Sequence, residues 1–443
     1  MRPTPRDHRC SLVMFVLAGL AAGPVSAGEV ERGRALFTHA WTPRDPRSRA
    51  GDGLGPVFNA TSCVACHDKG GPGGAGGTDR NIEIITAIDS FNPTGGGFFY
   101  AFAMDFGAGR FEYRIGDPSS ASNRTPSRID PALAGAVHPG FRRASSLMLH
   151  RFGTDPTYQS WRESVPGNHG RVVVQTSERN PTPLFGLGRI DAIPDSVIEA
   201  AAKPKVSAGT RIKGRIGRTE DGRVGRFGWK AQTATLAEFV HSAAANEVGL
   251  EVPGHHQGAD PRLPGLEAPG LDLDQADCEA LVAFVRALPA PVTLPPADAK
   301  GAAQVKGGES TFKAIGCAAC HLPKLGDVAG LYSDLLLHDM SPRLADTGTY
   351  GVFVAGAADA PAPRNPGLDG PATVGEWRTP PLWGLRDSAP YLHDGRASTV
   401  AEAIALHGGE GSASASRFAQ LSPRRRQQLE SFLMSLAAPG QAN

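Results

Sequence analysis

Two short motifs carry the chemistry of this chain. Cys63-Val64-Ala65-Cys66-His67 and Cys317-Ala318-Ala319-Cys320-His321 each set two thiols three residues apart, with a histidine directly after the second. On a helical turn such thiols share a face and reach the two vinyl groups of a porphyrin, while the histidine points its imidazole at the iron. Chance composition predicts roughly 0.002 such motifs in a chain of this make-up; there are two. The pattern reads as two covalent haem c sites. Cys63, Cys66, Cys317 and Cys320 are the attachment positions, and His67 and His321 the proximal iron ligands. Two other chemistries use cysteine pairs. Zinc gathers four donors at one point, whereas these motifs lie 254 residues apart. A thioredoxin-like dithiol needs no histidine. Cys278, in an apolar helical stretch, reads as a buried and unreactive thiol. His255-His256 is a loop pair with only a weak metal signal.

The elements that position the motifs repeat. A glycine-rich turn and a helix lead into each: Gly33 to Phe37 before a long insert and Cys63, and Gly308 to Phe312 before Cys317. Leu281, Phe284, Val285 and Leu288 form an amphipathic stripe, and Leu429, Phe432, Leu433 and Leu436 repeat it at an offset of 148. Asp274 and Ser422 precede them as N-caps, and Pro423 stands in the first turn. Thr182-Pro183-Leu184-Phe185-Gly186-Leu187 echoes Pro380-Pro381-Leu382-Trp383-Gly384-Leu385. The fold class predicted is mainly α: two tandem cytochrome-c-like helical domains. The first, residues 28–290, carries a large loop-rich insertion with some β-hairpin, read at Arg171 to Thr176 and Gly209 to Phe227. Residues 291–298 form a proline-rich linker, and residues 299–443 the second domain.

Length and composition bound the rest. A chain of 443 residues with 40% hydrophobic and 20% charged residues affords one to three domains and is not disordered throughout. Gly 55 and Pro 37 predict much ordered loop. Lys+Arg 45 against Asp+Glu 44 excludes a nucleic-acid partner on charge grounds. Six cysteines are too few for a disulfide scaffold of this size. Arg2, Arg6 and Arg9, an apolar run from Leu12 to Ala22, and Val25-Ser26-Ala27 read as a secretory signal over residues 1–27, cleaved after Ala27. Cys10 lies before the apolar run and is a poor lipid-attachment site. The expectation is a periplasmic protein with no membrane span in its mature form.

Arg378-Thr379-Pro380-Pro381-Leu382-Trp383-Gly384-Leu385 and Ser388-Ala389-Pro390-Tyr391-Leu392-His393-Asp394-Gly395 resemble bacterial di-haem cytochrome c peroxidases and their MauG-type relatives. Leu335-Leu336-Leu337-His338-Asp339-Met340 and Gly225-Arg226-Phe227-Gly228-Trp229-Lys230-Ala231 add to it. Within that superfamily the chain is most similar to the di-haem oxidoreductase, putative peroxidase family. The resemblance is strong in the C-terminal half and patchy over residues 80–220.

The resemblance implies further roles. The second haem's distal ligand falls fourteen residues after His393, at His407, with Met340 the runner-up. Histidine in place of methionine lowers the potential. Trp229 matches a tryptophan that relays electrons between the haems. Glu247 matches a glutamate over the peroxide-binding haem, a group able to move a proton between peroxide oxygens. Phe239 stands where the peroxidases carry glutamine; His241, near it on the same helix, reads equally as a compensating group or as a surface residue. No histidine follows the first motif closely; His138 and His150 come next. An open first haem is therefore expected. Calcium is implied at the domain junction, held by backbone oxygens of Ser388 and Pro390 and by Asn81 or Asn92.

These roles predict an exported di-haem oxidoreductase that reduces hydrogen peroxide, or activates O2, at the N-terminal haem. Electrons come through the C-terminal haem from a small redox protein (a cytochrome c or cupredoxin) or from an oxidisable small molecule or protein. Two alternatives stand beside it: a non-enzymatic di-haem electron carrier, and a haem oxygenase or protein-modifying oxidase of MauG or rubber-oxygenase type.

Overall fold

The computed structural model describes residues 26–90, 129–207, 209–263, 265–348 and 372–441. Residues 1–25 of the segment read above as a secretory signal, Cys10 among them, and Asn92 lie outside them. Among the described residues there are eleven α-helices, and helix exceeds strand.

Four long helices set the frame. Helix α1 (Ala27–Thr38) starts at a capping box in which Ser26 and Glu29 satisfy each other's backbone N–H. Helix α2 (Leu236–Glu247) starts at a second box, Thr235 with Glu238. Helices α3 (Gln275–Ala287) and α4 (Ala299–Ala314) are capped by Asp274 and Asp298. Two further helices complete the second half: the short α5 (Val400–Ala405) and α6 (Pro423–Leu433), the latter capped by Ser422.

The helices pair twice in the same way. Helix α1 crosses α3 at Gly33, where a Cβ would stand 1.9 Å from the Ala280 carbonyl oxygen and 2.8 Å from Phe284 Cβ. Helix α4 crosses α6 at Gly308, where a Cβ would stand 2.0 Å from the Gln428 carbonyl oxygen and 2.6 Å from Phe432 Cβ. Each glycine lets two backbones touch where a methyl group has no room. Ala280 and Phe284 carry the stripe offset of 148 onto Gln428 and Phe432. Phe37, Leu281, Phe284 and Val285 bury one crossing, and Phe312, Leu429, Phe432 and Leu433 the other. A fully buried side chain of this kind stabilises by about 1.5–3 kcal/mol.

Between α1 and α2 lies an antiparallel sheet. Its strands are β1 (Ile82–Asp89), β2 (Ser146–Met148), β3 (Gly167–His169) and β4 (Val172–Arg179), in the order β2-β1-β4-β3. Ile85 faces Thr176 across the central pair. Val172 and Val174 alternate inward onto Ile85, Ala87 and Leu149, as period-2 burial requires. The stretch Gly209 to Phe227 departs from the hairpin expected there. Only Thr210–Ile212 is strand, paired with Lys205–Ser207, and beyond it single bridges join Arg218 to Val224 and Phe227 to Thr233. Gly225 explains the break: a Cβ there would stand 1.7 Å from the Ala231 carbonyl oxygen, so loop packs on loop too closely for a regular ladder.

The proline-rich segment before α4 is tied down. Val292–Thr293 pairs antiparallel with Leu436–Ala437 beyond α6. Among the described residues no helix is long and apolar enough to cross a membrane.

Candidate functional site

The two cysteine motifs fold into the same turn. The second cysteine donates its N–H to the first cysteine's carbonyl at 3.2 Å (Cys66) and 3.4 Å (Cys320), and both histidines donate to that carbonyl at 3.0 Å. His67 Nδ1 lies 3.0 Å from the Gly74 carbonyl, and His321 Nδ1 lies 3.0 Å from the Tyr332 carbonyl. A carbonyl only accepts, so Nδ1 carries the proton and Nε2 keeps a lone pair for a metal. Burial lowers both imidazoles, His321 to about 4 with nearby His407 adding to it, so each stays neutral at pH 7. Burial pushes the thiols of Cys63, Cys66 and Cys317 up to about 12. That is opposite to the depressed value of a reactive dithiol. The two cysteine pairs line different cavities, so four thiolates do not converge on one zinc.

The cavity on His67 encloses about 1070 Å³ of empty space. Helix α2 supplies one wall through Phe239, Val240, Ala243 and Glu247. Glu247 and Phe239 are thus brought to the cavity, with Phe239 stacked on Phe227 at 5.7 Å. His241 is not: it turns away and meets His255 edge-on at 5.9 Å. At 3.6 residues per turn it lies about 200° round the helix from Phe239, so it does not compensate for the missing glutamine. Among the described lining residues His67 is the only histidine, and there is no methionine. His150 Nε2 lies 3.0 Å from the Asn246 carbonyl, and His138 Nδ1 accepts from the Gly140 N–H; neither lines the cavity.

The cavity on His321 encloses about 1910 Å³. Thr399 and Glu402 cap α5, which delivers His407 to the wall. His407 Nδ1 lies 2.7 Å from the Ala403 carbonyl, so its Nε2 also keeps a lone pair. Met340 lines the same wall; both side chains crowd Gly411, where a Cβ would meet His407 Cβ at 3.0 Å and Met340 Cε at 3.1 Å. His338, between them in sequence terms and the motif, is held by Asp334 at 3.1 Å and Glu410 at 2.8 Å, 3.6 Å from Cys320 Sγ. The two carboxylates hold its pKa well above the ordinary value although burial opposes them.

Trp229 lines both cavities. Its indole N–H donates to the Asn180 carbonyl at 3.0 Å. Strands β5 (Leu337–Asp339) and β6 (Glu376–Arg378) pair antiparallel, and β6 grips the loop that carries Trp229. Arg378 donates its backbone N–H to the Trp229 carbonyl at 3.0 Å and its Nε to the Gly228 carbonyl at 2.7 Å. Lys230 donates to the carbonyls of Thr373, Val374 and Glu376 at 2.7–3.2 Å and sits 3.6 Å over the Trp377 ring. Trp377 stacks on His393 at 3.7 Å, and His393 meets Trp229 edge-on at 6.4 Å.

The residues fit two tetrapyrroles. Each cavity has a tethered imidazole beside two thiols in its wall. Arg378, lining the His321 cavity, is buried with no carboxylate partner among the described residues. Burial draws its guanidinium down to about 10, still charged at neutral pH. A buried cation without a counter-charge is costly, and the carboxylates of a tetrapyrrole supply one. Lys230, brought down to about 7 by burial with Arg179 adding to it and Asp346 and Glu376 opposing, lines the His67 cavity and is only partly charged at neutral pH.

Calcium fits less well. Ser388 and Pro390 line the His321 cavity. The carbonyl between them, on Ala389, binds the ammonium of Lys69. Asn81 Oδ1 accepts from Asn180 at 2.9 Å, and its amide nitrogen faces Glu178 at 2.6 Å and the Asp394 carbonyl at 2.8 Å. Calcium takes six to eight oxygens. Here an ammonium meets the Ala389 carbonyl between the two expected donors and an amide N–H meets Asn81 Oδ1, so both compete with a cation at this turn.

Residues 279–436 match a family model described as "Di-haem oxidoreductase, putative peroxidase". The matched segment, about a third of the chain, is similar to that family there. It holds Cys317, Cys320, His321, Arg378 and His407, and the Cys63–His67 motif lies outside it. No curated protein matches the chain. Among solved structures, hydrazine synthase of Kuenenia stuttgartiensis, pressurised with xenon, is 21% identical with a TM-score of 0.33, over 59% of this chain and 73% of that one. A MauG-like protein associated with microbial copper homeostasis is 16% identical with a TM-score of 0.29, over 57% of this chain and 93% of that one.

Sequence reading gave no role to Asn59, Lys230, His338 or Arg378. The last three stand inside the motifs that carry the resemblance, but the contacts that give each its role reach residues far along the chain.

Proposed function

We propose that this chain is an exported di-haem c-type oxidoreductase that reduces peroxide at the His67 site, with electrons delivered through the His321 site. The observation that carries the reading is the place of Trp229 in the walls of both cavities, one with a carboxylate and a single histidine, the other with four histidines, His321 and His407 among them. The tandem arrangement fits two cytochrome-c-like units, each closed by one glycine-notched helix crossing.

When bound, the haem irons supply the redox chemistry. The protein's own groups do the rest. His67 and His321 offer neutral Nε2 as proximal ligands, and His407 offers a second imidazole to the His321 site. Trp229 stands as the relay between the sites. Glu247 takes a proton from one peroxide oxygen and returns it to the other. Each peroxide consumes two electrons and two protons and leaves two waters. The electrons come from a small redox protein such as a cytochrome c or cupredoxin, or from an oxidisable substrate.

One observation favours a second reading. Phe239 leaves the helical wall of the His67 cavity apolar apart from Glu247, which weakens hydrogen bonding to peroxide and favours O2 chemistry of the oxygenase or protein-modifying kind. The deciding experiment uses the exported holoprotein. Optical and paramagnetic spectra should show two haems, one high-spin, and hydrogen peroxide should be consumed with reduced cytochrome c as donor. Two low-spin haems, with no response of the ferric form to peroxide or of the reduced form to CO, would leave only an electron carrier.

A further inference from the structure

The geometry points to Asn59 as the positioning residue that aims the Glu247 carboxylate and sets which of its oxygens carries the transferable proton. This rests on the reading of Glu247 above. Asn59 sits four residues before Cys63, is 7% exposed, and does not line the cavity. Its amide nitrogen donates to Glu247 Oε2 at 3.0 Å and approaches Met148 Sδ at 3.0 Å. Its amide oxygen accepts the Arg151 N–H at 2.9 Å. The backbone is held as well: the N–H groups of Asn59 and Ala60 donate to the Glu247 carbonyl at 2.7 and 3.1 Å.

These contacts remove the usual ambiguity of an amide. The Arg151 N–H can only donate, so it must face the amide oxygen, and the nitrogen must face Glu247. Glu247 Oε2 is then an obligate acceptor. A proton on Oε2 would weaken that bond, so a protonated Glu247 keeps its proton on Oε1. The donor also hydrogen-bonds best to the ionised carboxylate. The segment that attaches the haem therefore also sets the base on the wall of α2.

The test uses cyanide, whose conjugate acid gives up one proton to a base as the anion binds ferric haem, with no electron transferred. In the holoprotein, cyanide on-rates and the peroxide reaction are measured across pH for wild type, Asn59→Leu, Asn59→Ser and Glu247→Gln. Haem content and unfolding temperature are checked for each. Asn59→Leu removes the donor at similar volume. It should raise the acid-limb pKa by about one unit, on the order of tenfold slower cyanide binding below that limb. Asn59→Ser, which keeps an O–H donor, should recover part of the shift and serves if the leucine variant does not fold. Glu247→Gln should abolish the limb. If both Asn59 variants keep the wild-type profile while Glu247→Gln abolishes it, Asn59 has no positioning role and the Glu247 reading stands. If Glu247→Gln itself keeps the profile, the Glu247 reading fails and this inference falls with it.

Discussion

The backbone N–H of Arg378 donates to the carbonyl of Trp229 at 3.0 Å, while the Arg378 side chain reaches back to the neighbouring Gly228 carbonyl at 2.7 Å. One residue of the C-terminal half thus holds the tryptophan loop at two points and offers its remaining charge to the His321 cavity. Arg378→Met should leave the Gly228 carbonyl without that donor, at a cost of about 1–3 kcal/mol in urea unfolding. It should also slow electron passage between the haems in stopped-flow reduction, because the loop carrying Trp229 loosens.

The attachment motifs are separable. Ala at Cys63 and Cys66 should cost the exported protein the mass of one tetrapyrrole, and Ala at Cys317 and Cys320 the other. Intact mass spectrometry reads both. A variant that keeps both additions would sink the assignment of its motif.

His407 should control the potential of the C-terminal haem. His407→Met exchanges imidazole for thioether and should raise that potential, on the order of 0.1 V within the ~0.8 V that axial ligands command. Spectroelectrochemistry checks it. No change would transfer the ligand role to Met340, which shares the wall.

The helix crossings tolerate no side chain. Gly308→Ala places a methyl group 2.0 Å from the Gln428 carbonyl oxygen, and Gly33→Ala places one 1.9 Å from that of Ala280. Neither backbone can yield without unpacking its helix pair. Each variant should lose about 1–3 kcal/mol, visible as a lowered denaturant midpoint.

Asp346 makes the fold acid-sensitive. Burial raises its pKa, but His393 and Arg179, the latter at 2.6 Å, outweigh it and hold the carboxyl well below its ordinary value. His393 Nε2 stands at 3.3 Å, an ion-pair distance without hydrogen-bond alignment. Because the folded value lies below the unfolded one of about 3.9, the stabilisation is fully present above about pH 4. It is lost as pH falls through the folded pKa, where the native state must also take up the proton. Asp346→Asn should cost about 3–5 kcal/mol at pH 7, the usual effect of leaving a buried partner charge alone. It should also flatten the acid limb of stability measured by urea unfolding from pH 2 to 7.

The sequence by itself determined the two Cys-x-x-Cys-His turns, the helix stripes offset by 148 residues and their caps, because these depend on spacings of a few residues and on local backbone geometry. Glu247 and His407 were placed through a motif resemblance and lie in the expected cavities. Sequence left His241 open between the site and the surface, because proximity in sequence does not say which face of a helix looks inward, and the structure turns it away from the cavity. Only the tertiary structure decided that Asn59 meets Glu247 across 188 residues of chain, that Arg378 grips the Trp229 loop across 150, and that Lys69 stands at the turn read for calcium. Such pairs leave no periodic trace, since each partner's local segment is compatible with many neighbours and packing alone selects one.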